Sequence, residues 1–523
     1  MSKLFPVFLL ALLFTPTHSL QSSGTTRYVN KTDATCGSQS PCYTTIQAAI
    51  NAAQAGDTVR IQAGLYEENV IIAGKNSANT ATESDRITVE ADPAAGLGSV
   101  ILGSTDQGCT DGDAITIVSS KFITLRGLTI TATGKQSIVL GSGAKKNNAI
   151  HLERNRIVGN RGKQCLGGIT IGSGNTNTLI VNNLIYGNGQ HGLKFKTGKG
   201  SHSVINNTIH GNGRTGISIG RRQEVLLVNN LITGNGADPR SPAKYRTGIA
   251  RTAAKKKPLS EQAQLLNNLI CGNTGGELSG AMLDGLDTGN LTPTGSEGPA
   301  PQVSASPGCN LTGNVYANAN GVDGQAGTAD DDFTLATNSP GIDSGADPRT
   351  LGIGVPNAIF EADFLQSTAR PQDGNSNGTQ EFDRGAVEKL EVGRCLPGNT
   401  AECYDGPQAT KGVGICRAGI KTCQPNGTFG LCAGKVLPAT EIPGNNIDEN
   451  CDGHDEPAGG CTPGTNQECY SGPQGTKGVG ISGPVRRTAP LARAPVRCCH
   501  RQKFPTTTLT KIVTAATPMP HSH

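Results

Sequence analysis

Five copies of one hexapeptide constrain this chain more than any other feature. Asn155-Arg-Ile-Val-Gly-Asn160 returns as Asn183-Leu-Ile-Tyr-Gly-Asn188, Asn207-Thr-Ile-His-Gly-Asn212, Asn230-Leu-Ile-Thr-Gly-Asn235 and Asn268-Leu-Ile-Cys-Gly-Asn273, at steps of 28, 24, 23 and 38 residues. A second pattern lies between the copies: Gly168-Ile-Thr-Ile-Gly172, Gly192-Leu-Lys-Phe-Lys196 and Gly216-Ile-Ser-Ile-Gly220, each 24 residues apart. Both patterns are short strands with period-two alternation, bounded by turn residues. A recurring step of this size is the mark of a solenoid. Like strands of successive coils then pair in parallel, about 4.8 Å apart. Ile and Leu at alternate positions point inward. Asn at equivalent turns can form a ladder of side-chain hydrogen bonds, and Gly and Asn tolerate the left-handed backbone such corners need.

Composition agrees with a β solenoid. Gly is 71 of 523 residues, charged residues are 16%, aromatics are 4%, and Trp is absent. A coiled coil or helix bundle would need Ala, Glu, Lys and Leu at helical spacing instead. The formal charge of +4 suggests no nucleic-acid partner. Residues 1–19 read as a secretory signal: Lys3, then the apolar Leu4–Phe14, then small residues at Thr17-His18-Ser19. No later apolar run is long enough to span a membrane, so the expected protein is secreted, extracellular or at the cell surface. The 16 Cys fit an oxidising compartment. Proximity pairs Cys36 with Cys42; the other pairings stay open.

With these repeats, residues 27–300 resemble the right-handed parallel β-helix proteins of the pectate-lyase-like superfamily. Tyr28-Val-Asn, Tyr43-Thr-Thr-Ile-Gln-Ala-Ala-Ile-Asn-Ala-Ala53 and Gly56-Asp-Thr-Val-Arg-Ile61 carry the same resemblance. In that family they form a strand, an amphipathic helix and the first coil. The residues agree, since Ile46, Ala49, Ile50 and Ala53 share one helical face and would plug the open end of a stack. The expected fold is all-β: a right-handed parallel β-helix of about ten coils with an N-terminal capping helix, followed by small Cys-rich, loop-dominated repeats. Within residues 301–392, Asn338-Ser-Pro-Gly-Ile-Asp-Ser-Gly345 and Phe382-Asp-Arg-Gly-Ala-Val-Glu388 resemble the closing segment of secreted bacterial β-helix proteins. That resemblance implies a bacterial source and a cap on the other end.

A new texture starts at Cys395. Residues 395–415 recur from Cys461 to Ile481, an offset of 66. Residues 395–456 and 461–481 resemble the Cys-rich metal-binding repeats of exported bacterial proteins. Asp448, Asn450 and Asp452 at alternate positions, then Gly453, match the start of a calcium loop, without the Glu at loop position twelve. Calcium is the expected cofactor, with Asp448, Asn450, Asp452 and Asp455 as ligands. Asp373-Gly-Asn375-Ser-Asn377-Gly378 is a second, weaker match. After Ile481 the repeat stops. Thr507–Thr514 back-translates, one base over, into the run found at 445–452, so residues 482–523 read as a frameshifted repeat and are expected to be disordered.

The resemblance also implies a chemistry. Many β-helix relatives bind acidic polysaccharide along one sheet, and those that cleave it do so by β-elimination, with Lys or Arg as base and a cation, often calcium, neutralising the uronate. Here Lys194 and Lys196 point outward from the strand Leu193-Lys-Phe-Lys196, beside the small residues Thr170, Gly172, Ser218 and Gly220. Arg221 follows one coil on, and His191 lies just upstream. These four are the candidate catalytic residues. No acidic column shares that strand: Asp106, Asp111 and Asp113 are coils away in sequence, and Glu153 is on the other strand. The basic insertion at 237–262 is expected to leave as a loop on one face. Two functions fit: interaction with an acidic polysaccharide or cell-surface glycan, with cleavage by β-elimination, or a non-catalytic structural or adhesion role with calcium-binding repeats.

Overall fold

The computed structural model describes residues 24–455 except 104–111, 132–134, 160–166, 253–262, 280–289, 293–302, 306–314, 325–327, 329, 366–368, 392–393, 396–397 and 425–427, and also residues 466–469 and 485–488. The expected signal at 1–19 lies outside the described residues, as does most of the second repeat and of the tail. Three parallel sheets of ten, ten and eight strands build the first compact unit, which ends at Arg394. Each coil passes from sheet 1 to sheet 2 to sheet 3, as in Thr178–Val181, Leu184–Tyr186 and Leu193–Phe195. Like strands pair in register from coil to coil, so Ile169, Leu193, Ile217 and Ile249 form one column. All four are buried, and such columns from the three sheets merge into one continuous core. The chain is a right-handed parallel β-helix.

The corners follow from the hexapeptide. Arg154, Asn182, Asn206, Asn229 and Asn267 take φ between 51° and 56°, the left-handed conformation that Asn tolerates. The next residue points inward. Asn155, Asn183, Asn207, Asn230, Asn268 and Asn290 form a ladder in which each main-chain N–H and side-chain amide donates to the Oδ1 one coil on, at 2.8–3.1 Å. The closing Asn of the motif builds a second ladder, Asn188, Asn212, Asn235 and Asn273.

The helix Ile46–Ala52 buries Ile46, Ala49 and Ile50 against the core, the expected face. Thr45 caps it through a hydrogen bond from the Ala48 N–H at 3.2 Å. Both Glu68 carboxylate oxygens accept further first-turn N–H groups, from Ile46 and Gln47.

The described part of the segment 315–391 departs from its expected place. It lies along the side of the coils. Phe333, Leu335 and Phe364 cover Leu184, Tyr186, Leu231 and Leu269 on the outer face of sheet 2. Phe360 and Phe382 cover Val181, Ile205 and Val228 on sheet 1. Polar anchors hold it at the corner: Asn182 donates to Ala362 O at 2.8 Å, and Asn229 donates to Ala346 O at 2.7 Å. Arg370, fully buried, bonds Glu388 at 2.6 Å and Asn182 Oδ1 at 2.9 Å. The reason is the outward surface of sheet 1. In the early coils it carries the ion pairs Arg60–Glu90–Arg126–Glu153, and in register with these the later coils carry Val181, Ile205, Val228 and Leu266, an apolar stripe that needs a cover.

The second compact unit starts at Cys395. Disulfides Cys395–Cys423, Cys403–Cys432 and Cys416–Cys451 staple it, and Cys36–Cys42 forms in the first unit as expected. Its hairpin, Thr400–Cys403 with Gly419–Thr422, returns as Asn466–Cys469 with Val485–Thr488 at the same 66-residue offset. Val485–Thr488 thus forms a strand within the stretch expected to be disordered. Antiparallel pairing uses main-chain groups, which a changed reading frame leaves in place.

Candidate functional site

Sheet 3 carries the expected basic groove. Leu193 and Phe195 point inward, and Lys194 stands outward between Thr170 and Ser218 on neighbouring coils. Gly220 is required by close approach: a Cβ there would lie 2.4 Å from the Thr197 nitrogen. Lys194 and Lys196 line a groove of about 490 Å³ with Lys135, Thr170 and Val139.

The same groove contains groups that reading the sequence missed. Asp113, just before the strand Ile115–Val118, belongs to its lining, although its strand is three rungs from that of Lys194. Gln136 and Gln190 line it too, and Gln136 accepts a hydrogen bond from Thr170 at 2.8 Å. The signal was present in the register. Ile138 sits opposite both Ile115 and Ile169, so their strands are adjacent rungs. Irregular steps of 23 and 31 residues hid that alignment.

Electrostatics separates the four candidates. Burial, then the like charges of Lys196 and Arg214, lowers the Lys194 ammonium below the ordinary lysine range. His191 is only 6% exposed; burial, then Lys194 and Arg214, pushes its imidazole down to about 3. It therefore stands neutral and adds no charge, a correction to its place in a basic patch. Its ring meets Tyr245 edge-on at 6.2 Å. Tyr245 comes from the expected insertion, whose Ser241 accepts from Arg214 at 3.2 Å, so the described part of that loop stands beside the groove. Arg221 is the second correction. It is exposed in the turn after the strand Ile217–Ile219, outside the groove lining, because the chain there already bends toward sheet 1. Burial raises the Asp113 carboxyl, against a hydrogen bond from the Gln136 main chain and the charges of Lys135 and Lys196. Asp106 and Asp111 lie outside the described residues.

The Asp/Asn run at 448–455 folds as a turn of its own. Asp448 accepts from the N–H groups of Asp452 and Gly453 at 3.2 and 2.9 Å, and Asn450 Oδ1 accepts from Asp452 N–H at 2.9 Å. Gly453 takes φ 98°. Asp455 turns elsewhere, accepting from Gly444 and Asn446. The run at 373–378 repeats the pattern, with Asp373 accepting from Asn377 and Gly378. Among the described residues no group of three or more His, Cys, Asp or Glu is placed to hold a metal ion. Asp448, Asn450 and Asp452 share one turn, while Asp455 accepts from the neighbouring stretch at 444–446.

Residues 113–281 match a family model described as the right handed beta helix region. No curated protein matches the sequence. Among solved structures, the pectate lyase Pel9A is 15% identical, with a TM-score of 0.44, over 70% of this chain and 97% of that one. The alginate lyase from Paenibacillus sp. str. FPU-7 is 16% identical, with a TM-score of 0.36, over 50% and 99%. The complex of XylC with xylose is 10% identical, with a TM-score of 0.28, over 70% and 98%.

Proposed function

We propose that the groove on sheet 3 binds an acidic polysaccharide outside the cell and cleaves it by β-elimination. One observation carries this reading: Lys135, Lys194 and Lys196 converge on a groove of about 490 Å³ whose only carboxylate among the described residues is Asp113. Three cations along a solenoid face suit a chain with a carboxylate on each sugar. Lys194 is the base. Its lowered pKa leaves more of the amine neutral near physiological pH than an exposed lysine would have. The amine takes the proton beside the uronate carboxylate. The C–O bond to the next sugar breaks, a C=C bond forms, and the departing oxygen takes a proton from solvent. Lys135 and Lys196 neutralise the carboxylate as charge develops. His191, neutral and packed beside Lys194, shapes the groove wall. The disulfides support export, since such bonds persist in oxidising compartments.

A non-catalytic glycan binder is the second reading. It is favoured by the single carboxylate, which among the described residues leaves no acidic column to hold calcium beside the lysines. In either reading, Asp448, Asn450 and Asp452 are the calcium ligands: each Asp448 oxygen accepts one main-chain N–H and keeps a lone pair for the ion.

The test incubates the full chain with polygalacturonate, alginate and glycosaminoglycans, with calcium or with chelator. Ultraviolet absorbance follows the unsaturated product. A signal that falls at least about 100-fold in Lys194→Ala identifies the base. It should rise with pH, as the Lys194 amine loses its proton. No signal, together with binding weakened in Lys194→Ala and Lys196→Ala, leaves the binder.

A further inference from the structure

Sheet 1 carries a second groove, of about 530 Å³, with a different chemistry. One register column forms its floor: His151, Leu179, Ser203, Leu226 and Gln264 sit opposite one another on five successive coils. Polar and apolar side chains thus alternate along the solenoid axis, one per rung of about 4.8 Å. Ile353 and Val355 of the side segment also line it. Glu224, paired with Ser201 in the ladder, is exposed beside the floor.

The cation here is spent. Arg86 bonds both Glu83 oxygens, the carbonyls of Ile123 and Ala149, and His151 Nε2 at 3.2 Å. Arg86 can only donate, so His151 Nε2 accepts from it and that nitrogen is engaged within the protein. Glu224 makes no ion pair among the described residues, and its carboxylate repels an acidic sugar. The groove therefore disfavours the ligand that the lysine groove attracts. Ser203, Glu224 and Gln264 supply a hydroxyl, a carboxylate and an amide to partners rich in hydroxyls. Leu226 and Val355, both half-buried, supply apolar contact for the C–H faces of a ring. The volume lies in the range of small-ligand sites, and the rung spacing is close to the advance per residue of an extended pyranose chain.

We propose that this groove on sheet 1 binds an uncharged oligosaccharide, as a site separate from the lysine groove on sheet 3. The proposal does not depend on cleavage at the lysine groove.

Titration calorimetry on the full chain tests it, with cellohexaose, xylohexaose and mannohexaose as neutral probes and hexagalacturonate as the acidic comparator. At least one neutral hexaose should bind. Ser203→Arg, which fills the floor, and Gln264→Ala, which only removes an amide, should each weaken it, the first by at least tenfold. Lys194→Ala should leave neutral binding unchanged while weakening hexagalacturonate. Circular dichroism checks that each variant is folded, and Gln264→Ala decides if Ser203→Arg is not. No binding of any neutral hexaose overturns the proposal. So does neutral binding that survives both sheet 1 variants, or that is lost in Lys194→Ala. Loss of hexagalacturonate binding alone would count against the lysine groove and leave this site standing.

Discussion

The Asn ladder shows how much one residue can hold. Asn207 Oδ1 accepts two donors from Asn183, and its amide donates to Asn230 Oδ1, Ile180 O and Ile205 O. All of this lies out of water, with Asn207 fully buried. Asn207→Ala leaves these groups unpaired and should cost about 2–3 kcal/mol, read as a lowered denaturation midpoint. Asn207→Asp keeps the acceptor and loses the donors, so it should also destabilise. The imidazoles give a pH dependence. His191 is held down to about 3 by burial and by Lys194 and Arg214, and His202 is held to about 4 by burial, from an ordinary 6.5. The unfolded chain takes up protons near pH 6.5 that the native chain refuses. Stability attributable to each is therefore lost as pH falls below 6.5, at up to about 1.4 kcal/mol per pH unit. Chemical melts at pH 7, 6 and 5 should show a shallower slope in His191→Gln than in the parent chain. The ladders and the outward lysines were legible because each rests on a local spacing. Asp113, Gln136 and the neutrality of His191 were not, because they depend on register across irregular steps and on burial.

Helix and strands were readable from period and turn residues; the side segment was not. Its partners Asn182 and Arg370 stand 188 residues apart, and no local pattern reports such a contact. The apolar stripe at Val181, Ile205, Val228 and Leu266 was a visible clue only once their shared register was known. Arg370 and Glu388 form an ion pair with neither side chain exposed. Arg370→Ala leaves a buried carboxylate without its cation, a loss of about 3–5 kcal/mol. The expected result is that limited proteolysis cuts within 330–391 while circular dichroism keeps the β signature of the coils. Unchanged protease resistance would show that apolar cover alone holds the segment.

The molecule divides into a unit held by a stacked core and a unit held by cross-links. Among the described residues between Cys395 and Asp455 the buried apolar side chains are cysteines, while Ile420, Leu431 and Ile442 are exposed. Mild reduction should therefore unfold this unit and leave the β-helix intact, giving two separate thermal transitions. If calcium enters the Asp448 turn, it should raise the midpoint of the smaller transition alone, and Asp448→Asn should cancel that rise. The side segment bears on the larger transition. A plain solenoid is a one-dimensional stack in which each coil feels only its neighbours, so its ends can fray one coil at a time. Here one stretch of chain reaches Asn182, Thr208, Asn229 and Asn268, on four successive coils. It works as a splint across the stack, so losing any one of these coils also breaks bonds to the other three, and this part of the solenoid should melt as a block.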